Sequence, residues 1–117
     1  MSKPAKVYAV QVPARRDGPR GGWVEKFDLS PAREFGEVVR LLPYGNIPND
    51  PGRVRPQLRE ALRAFDFRTD YLLLLGDPVA CAMAVHILGE FQDTPDETIK
   101  ALKWDKRSGA YQPYVIG

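Results

Sequence analysis

The sequence predicts a single small α/β domain over residues 1–117, with a mixed sheet and two main helices. Three observations carry this prediction. Runs of β-forming residues alternate with helical patterns, a fully apolar run at 71–75 stands between polar or flexible residues, and a nearly all-apolar helical segment follows at 78–91. A strand that is apolar on both faces is covered on both faces, which favours a central parallel strand. Residues 71–104 should therefore form one right-handed strand–helix–strand crossover.

The first elements are predicted to be two strands that pair as a hairpin. Residues 6–12 are rich in β-formers and end at Pro13, and residues 23–28 alternate between two faces. Between them, residues 14–22 hold three glycines and a proline. That composition is typical of a turn, so this segment is interpreted as a flexible Arg/Gly loop.

A short helix and a third strand should come next. Ser30 followed by Pro31 is a helix-start signature, and Gly36 limits that helix to one or two turns. Residues 37–42 then resemble a strand. The segment 43–52 carries three prolines and two glycines, which predicts a long ordered loop of the kind that often has a function.

The remaining elements complete the order ββ(α)βαβαββ. Apolar residues fall on one face of a predicted helix at 54–65. After the crossover helix, residues 98–104 should form a strand. Residues 105–109 form a turn with a glycine at its end, and residues 110–116 pair back as the final strand.

Charge and hydrophobic patterning indicate the cellular location that we expect for the protein. The formal net charge is +2, with 13 Lys and Arg against 8 Asp and Glu in residues 1–68, and 4 against 7 in residues 69–117. No apolar run approaches the roughly 18 residues that a membrane span needs. The N-terminal segment lacks the apolar core of a signal peptide. We therefore expect a soluble cytoplasmic protein.

Few reactive side chains are present. Cys81 is the single cysteine and His86 the single histidine, so neither an intrachain disulfide nor a structural zinc site is expected. They lie about 140° apart around the predicted helix, so they do not face each other. His86 and Glu90 are more simply a paired polar stripe. No nucleotide-binding fingerprint is present. We expect no cofactor, no metal and no catalytic set.

Arginines form one candidate site, for nucleic acid or another anion. Three lie in the 14–22 loop beside Trp23, and three form a stripe on the predicted helix at 54–65. Guanidinium groups match phosphate geometry, and an indole could stack on a base. The plainer interpretation is a surface hairpin and a solvated helix face with ion pairing to Glu60. The residues are Arg15, Arg16, Arg20, Arg55, Arg59 and Arg63.

Two further sites have similar alternatives. Gly76 and Asp77 follow the central strand, where open α/β sheets bind ligands, but Asp77 could simply cap the next helix. In the tail, Trp104 lies among basic residues near Tyr111 and Tyr114 and could bind a nucleic-acid strand. The plainer interpretation makes Trp104 and one tyrosine a cross-strand core pair, with a basic tip that protects a sheet edge.

Three stretches together resemble a group of small proteins encoded in tailed-phage genomes. They are residues 23–31 (WVEKFDLSP), 71–78 (YLLLLGDP) and 102–105 (LKWD), and the resemblance covers the chain from about residue 23 onward. It carries over no catalytic residue. It implies a phage or prophage accessory protein that acts in bacterial cytoplasm.

The favoured interpretation is a non-catalytic binding protein that acts through protein contacts, as a small oligomer. It depends on the apolar segment 78–91, which would bury a second face against a partner, and on the lack of a catalytic set. Two alternatives stay open. One is nucleic-acid binding by the arginines, and the other is a small-ligand site or enzyme at Gly76 and Asp77 beside the 43–52 loop.

Overall fold

A computed structural model describes residues 4–44 and 51–117. It contains seven strands, one 3-10 helix and two α-helices in that part of the chain. The strands are β1 (Lys6–Ala9), β2 (Ala14–Arg16), β3 (Trp23–Glu25), β4 (Glu37–Arg40), β5 (Tyr71–Leu73), β6 (Lys100–Asp105) and β7 (Ala110–Val115), and the helices are the 3-10 helix (Ser30–Glu34), α1 (Pro51–Leu62) and α2 (Pro78–Phe91). Neither described α-helix is long and apolar enough to cross a membrane.

Five strands form the main sheet in the order β4-β1-β5-β6-β7. The first four are parallel, and β7 is antiparallel to β6. The chain therefore leaves β1 toward one edge and returns to build the other, which is a doubly wound arrangement. The predicted α/β class with a mixed sheet is confirmed. So is the parallel unit β5–α2–β6, with β5 at the centre of the sheet.

Both faces of the sheet are covered at its centre. Tyr8 and Val10 belong to one buried cluster, which also contains the inner residues of α1 and α2. Val7 and Ala9, which alternate with them, belong to a second cluster on the opposite side with residues of the 3-10 helix segment. The two α-helices thus share one face. The 3-10 helix and its flanking segment lie on the other.

The predicted hairpin between residues 6–12 and 23–28 is wrong. β1 lies between β4 and β5 and is parallel to both. Val7, Tyr8 and Ala9 are buried, as is typical of an inner strand of a parallel sheet that is covered on both faces. The partner of β3 is β2, which lies inside the predicted 14–22 loop and adds a strand to the expected order. Gly18, with φ of 73°, lies in the turn between them.

Other boundaries shift by a few residues. α1 runs from Pro51 to Leu62 rather than over 54–65, although Phe65 is still buried beyond its end. Of the predicted loop at 43–52, residues 45–50 lie outside the described residues, and the last two positions belong to α1.

Candidate binding surface

An apolar groove of about 920 Å³ lies along β5, β6 and β7. Nine large apolar side chains are exposed on the described residues, and six of them line this groove. The other three belong to the β2–β3 hairpin and to the start of α2. Clustering of this kind marks a surface that meets another molecule, whereas scattered exposed apolar residues are ordinary. The six residues are Phe27, Leu74, Trp104, Tyr114, Val115 and Ile116.

The groove exists because the strands around it have unequal lengths. β5 pairs with β6 only at Leu72↔Ala101 and Leu73↔Leu102. β6 pairs with β7 over its whole length, from Lys100↔Val115 to Asp105↔Ala110. The β6–β7 hairpin therefore continues beyond the end of β5. The residues that follow β5 and the outer half of β6 both line the groove.

Trp104 and Tyr111 form an aromatic pair in this hairpin. They lie opposite each other in the β6–β7 register, with ring centroids 5.0 Å apart in an edge-to-face arrangement. Tyr111 is buried, while Trp104 keeps 42% of its surface exposed. Burial raises the pKa of the Tyr111 phenol, and the Asp28 carboxylate adds to that rise. The predicted cross-strand pair is thus present, with one partner presented to the groove.

The polar groups at the groove are mainly cationic. Lys103 and Lys106 line it and are exposed. Among its lining residues, Asp28 supplies the one carboxylate, and that group accepts a 2.9 Å hydrogen bond from the backbone N–H of Ser30. Hydrogen bonding from Ser30, first through its side chain and then through its backbone, holds the pKa of the Asp28 carboxyl below its usual range. The rim is therefore suited to acidic groups on a partner.

The Gly76–Asp77 turn lies where open α/β sheets bind ligands, between the carboxyl ends of β1 and β5. A crevice of about 370 Å³ is present there, and Lys26 and Trp23 contribute to its lining. The Asp77 carboxylate accepts a 2.9 Å hydrogen bond from the backbone N–H of Ala80, so it caps α2. A carboxylate at that helix end disfavours a phosphate ligand.

The hairpin arginines are solvent-exposed, and one of them is involved in a ring contact. The Arg16 guanidinium lies 4.9 Å from the centroid of the Trp23 ring. The hairpin itself is held to β4 by Glu25, which receives two short hydrogen bonds, of 2.6 and 2.7 Å, from Arg40. The Tyr44 hydroxyl donates a third, at 2.9 Å. Arg15 and Arg20 are exposed on the same hairpin.

The three arginines of the predicted helical stripe, two in α1 and Arg63 just after it, are paired with carboxylates. Arg59 contacts Glu90 of α2 at 2.6 Å, and Arg55 approaches the same carboxylate at 3.7 Å. Arg63 pairs with Glu60 at 3.1 Å. His86 also contacts Glu90, at 2.9 Å, which is the predicted i,i+4 pair. Arg55 and Arg59 thus connect α1 to α2 through Glu90, whereas the Arg63 pair is local.

Cys81 is a free, half-buried cysteine of α2. Its thiol donates a long 3.6 Å contact to the backbone carbonyl of Leu75, and burial raises its pKa. Within residues 4–44 and 51–117, no group of three or more His, Cys, Asp or Glu side chains is placed to hold a metal ion.

Sequence reasoning singled out Trp104, Tyr111 and Tyr114 but missed the other apolar members of the groove. Phe27 and Leu74 come from segments that are distant along the chain, so no local pattern joins them to β7. One signal was available. Residues 114–116 are three consecutive apolar residues in the predicted strand at 110–116, and side chains of successive strand residues cannot all point toward one core.

The fold and the groove together define a small doubly wound α/β domain with an open apolar surface at one end of its sheet. The family model for phage Pam3 gp32-like protein matches residues 5–117. The chain belongs to this family, which confirms the resemblance to small phage-encoded proteins. No curated protein and no solved structure matches the chain.

Proposed function

We propose that this phage protein is a non-catalytic accessory protein that binds another protein through the apolar groove, in the bacterial cytoplasm. One observation carries the proposal: six of the nine exposed large apolar side chains of the described residues line a single groove. Water contact with such a cluster is unfavourable, and a partner that covers it removes that cost.

The composition of the groove suits a protein partner. Trp and Tyr side chains are the most frequent energetic anchors of protein interfaces, because they bury large areas with few rotatable bonds. Trp104 and Tyr114 supply such anchors, and both are about half exposed. The rim lysines, Lys103 and Lys106, favour acidic residues beside the apolar contact. The expected partner segment therefore combines aromatic or branched apolar residues with Asp or Glu.

A second copy of the chain fits less well. A two-fold interface through this groove would place the same cationic rim on both sides, with Lys103 and Lys106 on each copy. In addition, β7 at the sheet edge contains Pro113, which lacks an N–H and disfavours edge-to-edge pairing of copies. The proposal accordingly assigns the groove to a different protein.

Selection from a displayed peptide library tests this partner chemistry. Enriched peptides should combine aromatic or branched apolar residues with acidic ones. Val115→Ser should weaken their binding about tenfold or more, because Val115 lines the groove and is 66% exposed. Val79→Ser is the matched control, since Val79 is 62% exposed at the start of α2 and outside the groove. Both variants should keep the wild-type melting temperature.

The same variants separate the other interpretations. If Val79→Ser lost peptide binding and Val115→Ser kept it, the partner would bind at α2 and not at the groove, which would contradict the proposal. A dimer in light scattering that dissociates on Val115→Ser would assign the groove to a second copy, which also contradicts it. Binding of short DNA or RNA that weakens steeply with salt and is lost in Arg15→Ala would instead favour the nucleic-acid interpretation.

A further inference from the structure

The hydrogen-bonding direction of β6 is fixed by contacts at its two ends. In an antiparallel pair, successive residues direct their backbone N–H and C=O groups alternately toward the partner strand and away from it. Ile99 donates to the Gly117 carbonyl at 2.8 Å and accepts from the Ile116 N–H at 2.9 Å. The Asp105 carbonyl accepts from the Gly109 N–H, also at 2.9 Å. Odd-numbered residues of β6 therefore bond toward β7.

Leu102 and Trp104 consequently direct their backbone groups to the opposite side, toward β5. Leu102 lies within the β5–β6 pairing. Trp104 lies two residues further along, where β5 has ended. In the chain that follows β5, the Leu75 carbonyl accepts from the Gln11 N–H at 3.0 Å, so Leu75 bonds toward β1 as Leu73 does through the Val10 N–H. Leu74, between them, directs its backbone groups toward β6.

Although Leu74 faces β6, the backbone of Trp104 lies opposite a gap. In the described part of the chain, no backbone hydrogen bond joins Trp104 to the segment after β5. Leu74 and Trp104, which stand on the two sides of this gap, both line the apolar groove. An unpaired length of strand edge beside exposed apolar side chains is a template for another extended chain.

We propose that the groove takes its partner as an extended strand whose backbone hydrogen-bonds to the N–H and C=O of Trp104. This inference depends on the proposed function, because it specifies how the same groove is filled. The occupant is a segment of another protein with apolar and acidic residues in alternation. Alternate side chains of such a strand point to opposite sides, so one set packs on the groove while the other stays near Lys103 and Lys106.

Amide exchange in the free protein tests the first half of the inference. The Trp104 amide should exchange at least about tenfold faster than the amides of Leu102 and Lys103, which bond to β5 and β7 respectively. These two neighbours control for fraying of the whole hairpin. Equal protection of all three amides would show that Trp104 already has a partner and would overturn the inference.

A synthetic peptide that alternates isoleucine or phenylalanine with glutamate tests the second half. On binding, the exchange of the Trp104 amide should slow about tenfold or more. N-methylation of the peptide on the edge that faces β6 should abolish binding, and methylation on the other edge should be tolerated.

The outcomes distinguish the mode of binding from the function. If this peptide or the library-selected peptides bind without any change at the Trp104 amide, the strand mode is wrong while the proposed function stands. If the selected peptides bind and the alternating peptide does not, the strand mode is again wrong. If the library selection yields no binder at all, the proposed function fails and this inference fails with it.

Discussion

The backbone N–H of Lys6 donates a 2.9 Å hydrogen bond to Oδ1 of Asp70, which lies 64 residues later in the chain. Asp70 is 1% exposed and is the one buried charged side chain of the described residues. Its carboxylate also accepts from the Asp66 N–H at 2.8 Å and from the Thr69 hydroxyl at 3.1 Å. One side chain thus joins the amino ends of the two central strands, β1 and β5.

Replacement of Asp70 should therefore be costly. Asp70→Ala leaves two backbone donors and one hydroxyl without their acceptor in a buried place, and we expect a loss of about 2–4 kcal/mol in the free energy of unfolding. Urea denaturation measures it. Asp93→Ala, at an exposed position of the loop after α2, should change the stability by less than about 0.5 kcal/mol. Equal urea denaturation midpoints for Asp70→Ala and Asp93→Ala would contradict this structural role of Asp70.

Two glycines should respond to alanine in opposite directions. Gly76 has φ of 96°, and a Cβ there would lie 2.5 Å from the Gln11 carbonyl oxygen. Gly76→Ala should thus destabilise the protein by about 2 kcal/mol or more. Gly89 lies exposed in α2, and a Cβ there would meet nothing within 4 Å, so Gly89→Ala should be neutral or stabilising by up to about 1 kcal/mol. Thermal melts of both variants measure the difference.

The central unit was predictable because its signals are local. The apolar run that contains β5 and the Asp77 cap with Pro78 both lie within a few residues of the elements that they define. The partner of β1 was not predictable in this way. Residues 6–12 and 23–28 each have the pattern of a strand, but the local pattern of a strand does not determine which other strand it pairs with. In the structure, β1 is an inner strand that pairs with β4 and β5 and is buried on both faces.

The contact between Glu25 and Arg40 should make stability depend on pH. The Arg40 guanidinium holds the pKa of the Glu25 carboxyl below its usual range, and the Tyr44 hydroxyl contributes to this. Because the folded value is depressed, the stabilisation is complete above the unfolded value of about 4.3 and is lost as the pH falls through the folded value.

Glu25→Gln should accordingly be less stable than the wild type at neutral pH, by less than about 1 kcal/mol because the pair is partly exposed. The difference should shrink toward zero in acid. Denaturant titrations at several pH values measure it, with Glu34→Gln in the 3-10 helix as the control. A difference that stayed constant with pH would contradict the assignment.

The Cys81 thiol should react slowly. Burial raises its pKa first and the nearby Asp77 carboxylate adds to the rise, so little thiolate is present at neutral pH. Alkylation in the folded protein should be at least about tenfold slower than in denaturant. A rate in the native protein that matched the denatured rate would show that the thiol is freely accessible.

The apolar groove was only partly predictable. The sequence placed Trp104 opposite a tyrosine, since alternation on two strands joined by a short turn fixes that pair. The exposure of the groove side chains depends on which elements cover β6 and β7. That coverage is determined by the unequal lengths of β5 and β6 and by the position of the 3-10 helix. Phe27 and Ile116 come together only through the folded sheet.

Mapping of a bound peptide on the protein tests the central claim most directly. Backbone amide resonances are followed while a library-selected peptide is added. The account predicts the largest changes at Phe27, Trp104 and Val115, with α2 and the β2–β3 hairpin little affected. Changes centred on Val79 and His86, or on Arg15 and Arg20, with the groove unperturbed, would contradict it.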